Sequence, residues 1–187
     1  MKHMKQLALS AAAVLTMFCA AGCGNPDTPQ QSAASDFHPE HLPQITITSE
    51  DLHDGVWDDA VSNTDKGTNR SPQLSWEPVE GAACYAVYMV DTSVDNWLHW
   101  KSGNVTETNL PAGWAPETEY VGPYPPSGTH TYEIRVFALK EAVTEGQSRF
   151  DNSNTGFEQM TAALDQSSSG SGNAVAYGTL RGTFTRE

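Results

Sequence analysis

Gly122-Pro-Tyr-Pro-Pro-Ser-Gly-Thr-His-Thr-Tyr132 is a loop that runs straight into a strand. Pro123, Pro125 and Pro126 remove backbone donors and stiffen an extended path. Gly122 and Gly128 supply dihedrals that other residues resist and allow a backbone to approach a ligand closely. Tyr132-Glu-Ile-Arg-Val-Phe-Ala-Leu139 follows, with Tyr132, Ile134, Val136 and Ala138 alternating along one side. His130 has the parity of Tyr132, so the imidazole and the phenol are expected on one face at the strand's start. A Pro- and Gly-rich turn before a strand is common by itself. The rest of the chain makes this one a binding-site wall.

Upstream, Cys84-Tyr-Ala-Val-Tyr-Met-Val90 is apolar at every position, which predicts a central strand buried on both sides. Asp91 ends it, as a turn-former or a site residue; position alone leaves both open. Asp95-Asn-Trp-Leu-His-Trp100 is expected to place Trp97 and His99 on one face and Leu98 and Trp100 on the other. A histidine beside two tryptophans is usually a packed, hydrogen-bonded core residue. Its nearness in type to Asp91 and His130 makes it a site candidate. Gln44-Ile-Thr-Ile-Thr48 and Ser71–Trp76 read as short strands, and Ala174–Thr185 as the closing one. Residues 51–70 read as loops pinned to the core by Trp57 and Val61. Asp51, Asp54, Asp58 and Asp59 lack calcium-loop spacing and read as acidic surface. Thr155-Gly-Phe-Glu158 fits a capping box, followed by Phe157, Met160 and Leu164 on one face of a short helix.

The N-terminus reads as a leader. Lys2 and Lys5 precede the apolar run Leu7–Phe18, too short for an ordinary membrane span. Ala20-Ala21-Gly22-Cys23 resembles a bacterial lipoprotein signal, with Cys23 lipidated at the mature terminus; the alternative is a plain secretory cut. Residues 1–22 are thus expected to be signal and 23–43 a flexible tether rich in Pro, Gln, Ser, Ala and Asp. His38-Pro-Glu-His41 lies in it as solvated linker rather than a metal site. The folded domain is expected at 44–187. This places the protein in a cell envelope, anchored to a membrane or secreted.

The formal net charge is −13. Loss of Lys2 and Lys5 leaves eight basic against 23 acidic residues, or −15. Such a surface argues against nucleic acid as a partner, because a phosphate backbone requires a basic face. With Cys19 removed and Cys23 carrying lipid, Cys84 has no disulfide partner and is expected to be a buried small hydrophobe. The fold must rely on its core, for which five tryptophans are available. No glycine-rich phosphate loop, activated serine or complete metal set is present, so no cofactor or metal is expected.

Two resemblances compete. Leu74-Ser-Trp-Glu-Pro78, Tyr85-Ala-Val-Tyr88 and Tyr132–Ala138 resemble strands of a fibronectin type III sandwich, which implies an adhesion or spacer module. That module ends about one strand after Ala138, whereas here a loop, a helix and another strand follow. Four other pieces together resemble the phosphatidylethanolamine-binding protein family, which includes Raf kinase inhibitor protein. They are Gly67-Thr-Asn-Arg-Ser-Pro-Gln-Leu-Ser-Trp76 with Gly81; Asp91 with Trp97-x-His99-Trp100; Gly122–Tyr132; and Gly182-Thr-Phe-x-Arg186. The chain departs from the family at Asp91-Thr-Ser-Val-Asp95, where Asp-Pro-Asp-Ala-Pro is usual. Ser93 or Asp95 is the candidate for the second Asp.

The second resemblance implies a mostly β fold, with a large antiparallel sheet, a smaller sheet and a few peripheral helices. It also implies a small pocket for phosphate-like anions or a phospholipid head, at Asp91, His99, Gly122, His130 and Tyr132. The expected function is binding rather than catalysis, with modulation or inhibition of a protein partner as a possible consequence. A hydrolase using the Asp and His groups is the lesser alternative.

Overall fold

The computed structural model describes residues 37–144 and 148–187. The expected signal, Cys23 and most of the expected tether lie outside the described residues. Its strands are β1 (Leu52–His53), β2 (Val56–Trp57), β3 (Leu74–Ser75), β4 (Cys84–Asp91), β5 (Trp97–Val105), β6 (Asn109–Leu110), β7 (Gly128–Leu139), β8 (Gln166–Ser167), β9 (Gly170–Ser171) and β10 (Ala174–Arg186). Among the described residues, one helix, α1 (Phe157–Ala163), and two 3-10 turns, Pro39–His41 and Asp59–Val61, complete the set.

Six strands form the main sheet in the order β1-β2-β10-β7-β4-β5. It is mixed rather than wholly antiparallel, because β2 runs parallel to β10 at Val56 and Thr183. β3 pairs with β6, and β8 with β9, as two small ribbons. The closing strand β10 lies inside the sheet between β2 and β7. The chain is therefore not a fibronectin sandwich: the strand beyond that module's end is structurally central here.

All eight residues of β4 are buried, as its unbroken apolar run requires. Alternation along β7 sends Tyr132, Ile134, Val136 and Ala138 into one core cluster, with Met89 and Trp100. Phe137 and Leu139 enter a second cluster, where α1 contributes Phe157, Met160 and Leu164. Cys84 lies in that second cluster, and burial pushes its thiol pKa up.

Several expectations change. Leu98 and Trp100 do not share a face: Leu98 joins the second cluster and Trp100 the first. A bulge in the β4–β5 register, between Met89↔Trp100 and Val90↔Leu98, inserts His99 and breaks the alternation. Residues 44–48 form isolated bridges rather than a strand, although Ile45 and Ile47 are buried as expected. Phe37 and Leu42 pack against the second cluster, so the end of the expected tether lies on the domain.

Residues 51–57 contain a hairpin, turned by Asp54 and Gly55 at positive φ. Asp51 is not acidic surface. It is buried, and its carboxylate accepts from both Arg70 Nη atoms and from Gln73 N–H. Burial by itself would raise its pKa, but those donors outweigh it and hold the carboxyl low. The capping box is absent as well. Gly156 occupies the N-cap without a side-chain cap bond, and Met160 N–H bonds to Gly156 O.

Candidate functional site

Strand register assembles the site. Asp91, the last residue of β4, pairs with Trp97 of β5 on one side and Tyr132 of β7 on the other. Residues opposite one another in a sheet share a face, so all three point the same way. His130, two residues before Tyr132, joins them, its ring stacked 6.4 Å from the Tyr132 ring. The bulge swings His99 in from β5, with its ring 5.2 Å from Tyr132. Asp91, His99, His130 and Tyr132 form the floor of a cavity of about 240 Å³, which Trp97 also lines.

Each floor group has a defined electrostatic role. His130 Nδ1 lies 2.6 Å from Asp91 Oδ2. A carboxylate only accepts, so Nδ1 carries the proton and donates. Asp91 Oδ1 takes the Ser93 backbone N–H at 2.8 Å. Asp91 therefore fixes the tautomer and orientation of the imidazole. His99 Nδ1 donates to the Val121 carbonyl at 2.8 Å, and burial lowers the pKa of its ring. His99 is therefore the neutral imidazole of the pair.

The Tyr132 hydroxyl is fully buried and makes no hydrogen bond among the described residues. Burial, with the Asp91 carboxylate beside it, raises its pKa, so it stays a protonated donor. A buried donor without a partner is costly, by about 1–3 kcal/mol. Tyr132 lines the cavity, with the Asp91 carboxylate as its charged neighbour.

The wall is apolar and comes from Trp97, the first residue of β5, and from the proline loop. Trp97 and Tyr124 stand edge to face, 6.4 Å apart, with Pro125 and Pro126 beside them and Val94 at the mouth. Where the family's prolines are missing, Val94–Trp97 forms a tight turn. Trp97 N–H bonds to Val94 O at 2.9 Å, and Asp95 and Asn96 both have positive φ, the pattern of a type I′ turn. Neither Ser93 nor Asp95 lines the cavity. Ser93 Oγ instead accepts the Thr131 N–H at 2.9 Å, bracing the start of β7.

Gly122 has a different role from the one expected. Its N–H donates to Asn69 Oδ1 at 2.7 Å and is not offered to the cavity. A Cβ on Gly122 would lie 2.0 Å from the Val61 carbonyl oxygen. Glycine is required for this packing of backbone on backbone. Asn69 also bonds through its own N–H to Ser62 O, so the Gly67–Trp76 motif is a brace beneath the proline loop.

Sequence reasoning missed Asp151. Its Oδ1 accepts from Trp97 Nε1 at 3.0 Å and from the Tyr124 hydroxyl at 2.5 Å. Burial, then that carboxylate, raises the Tyr124 pKa. Nothing in the spacing of Asp151 from the two motifs signals the contact. Among the described residues, no group of three or more His, Cys, Asp or Glu is placed to hold a metal.

The family model for phosphatidylethanolamine-binding protein matches residues 41–185, which contain all of this geometry. A UPF0098 protein of Methanothermobacter thermautotrophicus is 36% identical over 94 aligned positions, covering 39% of this chain and 62% of that protein. The match thus spans less than two thirds of that relative. Two solved structures share the fold. A phosphatidylethanolamine-binding protein homologue from Chlamydia trachomatis has a TM-score of 0.58 at 22% identity, covering 77% of this chain and 99% of its own. The YbcL protein of E. coli, described as a member of the mammalian family, has a TM-score of 0.57 at 21% identity, covering 76% and 99%. The protein belongs to the phosphatidylethanolamine-binding protein family.

Proposed function

We propose that this protein is a binding module whose cavity takes a phosphate-like anion, free or as the head of a phospholipid, without turning it over. The observation that carries this reading is the buried, unpartnered Tyr132 hydroxyl beside an imidazole held by Asp91. An oxyanion accepts from both groups and ends the isolation of the phenol. Among the described residues no lysine or arginine lines the cavity, so the side chain that offers an anion an N–H donor beside Tyr132 is His130. A monoanion suits this site better than a dianion does, because the Asp91 carboxylate lies close behind His130.

Attachment to a membrane through lipid on Cys23 belongs to the same proposal. It would hold the cavity near phospholipid heads or near an envelope partner that the domain modulates. Calorimetric titration with phosphate and phosphoethanolamine, alongside His130→Ala, tests the pocket. Saturable binding that disappears in the variant supports the reading. Absence of binding in the unaltered protein, or turnover of a phosphoester that His130→Ala abolishes, contradicts it.

A further inference from the structure

The floor explains the capture of an anion but leaves the aromatic wall without a role. One carboxylate oxygen, Asp151 Oδ1, holds both rings of that wall, and they come from different segments. The segment that presents Asp151 is itself tied to β5 and its turn. Leu98 N–H bonds to Asn152 O at 3.0 Å, Asp151 N–H to Leu98 O at 2.9 Å, and Asn154 N–H to Asp95 O at 3.0 Å. Asp151 does not line the cavity, so its effect on a ligand must pass through Trp97 and Tyr124. A cavity of about 240 Å³ also has room for more than a bare tetrahedral anion.

We infer that Asp151 is a positioning residue for specificity: by pinning Trp97 and Tyr124 it makes the cavity prefer an anion carrying an organic substituent over the free anion. The inference rests on the anion reading of the floor and assigns the wall to the substituent. With Asp151 in place, the two rings present fixed apolar faces, and a substituent packs on them without first having to order them. Without it, the indole N–H and the phenol lose their shared acceptor, and the rings are free to turn. The hydrogen bonds that Asp91 makes to His130 and to Ser93 N–H do not involve Asp151, whose charge reaches the floor only at His99.

The test is calorimetric titration of the full chain with inorganic phosphate and with phenyl phosphate. The unaltered protein should bind phenyl phosphate roughly tenfold more tightly, as expected for one ordered aromatic contact. Asp151→Ala should bring that ratio close to one while inorganic phosphate still binds. Asp151→Asn, which keeps an oxygen acceptor in place, should restore the preference, and Tyr124→Phe should give an intermediate ratio. A second readout needs no ligand: the Trp97 indole N–H resonance, assigned by its loss in Trp97→Phe, should exchange slowly in the unaltered protein and in Asp151→Asn, and fast in Asp151→Ala. Normal phosphate binding with an unchanged preference in Asp151→Ala would overturn this inference alone, as would fast indole exchange in the unaltered protein. Failure of the unaltered protein to bind phosphate would overturn the anion reading, and the inference with it.

Discussion

The floor and the wall of the cavity meet the same ligand space but are built by different means. The floor is a product of sheet register: Asp91 sits between Trp97 and Tyr132 because β4 is paired on both edges, and His130 follows by parity. The wall joins Trp97, where the type I′ turn enters β5, to a proline run, the two drawn together by one carboxylate. Groups placed by register are held by long strands on both sides and move only if the sheet does. Groups placed by loops depend on a few side-chain bonds and can be retuned singly. The chain's departure from its family, at Asp91–Asp95, begins where floor gives way to wall.

The largest effect should come from attacking the joint between the two. Gly122→Ala places a methyl group on the Val61 carbonyl, where neither backbone can yield cheaply. It should destabilise the protein by on the order of 3 kcal/mol in urea unfolding, the upper range for overpacking. A change below the error of that experiment would show that the proline loop is not braced from beneath. Next comes Asp91→Ala, which leaves the His130 Nδ1–H and the Ser93 N–H without their acceptor. A loss of about 2 kcal/mol is expected, with anion binding abolished.

Tyr132→Phe should act in opposite directions on stability and binding. Removal of a buried hydroxyl that bonds to nothing should stabilise the free protein by about 1 kcal/mol while weakening phosphate binding. Destabilisation instead would mean that the hydroxyl is already satisfied. The smallest effect is in pH. Burial lowers the His99 pKa in the fold, so the unfolded chain takes up that proton first as pH falls. The contribution is fully present above the unfolded value near 6.5 and is lost between there and the lower folded value. His99→Gln should flatten this slope in unfolding measurements at stepped pH, and an unchanged slope would exclude a buried neutral His99.

The same contrast governs how much was legible in the sequence. The faces of β4 and β7 could be read because side chains alternate with period two and the proline-glycine loop marks where β7 begins. The resemblance then brought Asp91 and His99 to the same site as His130 and Tyr132. Alternation failed at Leu98 and Trp100, because a bulge uses one residue without advancing the partner strand, and nothing in Trp-Leu-His-Trp marks it. Asp54-Gly55 is a turn dipeptide, and it turns a hairpin within a stretch whose polar composition suggests loop. Asp151 was beyond reach, because its partners lie 54 and 27 residues away and are fixed by loop geometry rather than by any period. Glycine at 122 signals a close approach to its backbone, but not to a ligand. The close neighbour is the protein's own Val61 carbonyl.

The most direct test of the central claim is phosphate titration of the unaltered protein, His130→Ala and Tyr132→Phe, each with its unfolding free energy measured in parallel. The account predicts saturable binding in the unaltered protein, none in His130→Ala, and weaker binding in a Tyr132→Phe variant that is more stable than its parent. Equal phosphate affinity in all three proteins would contradict it, since the floor groups would then have no part in holding the anion.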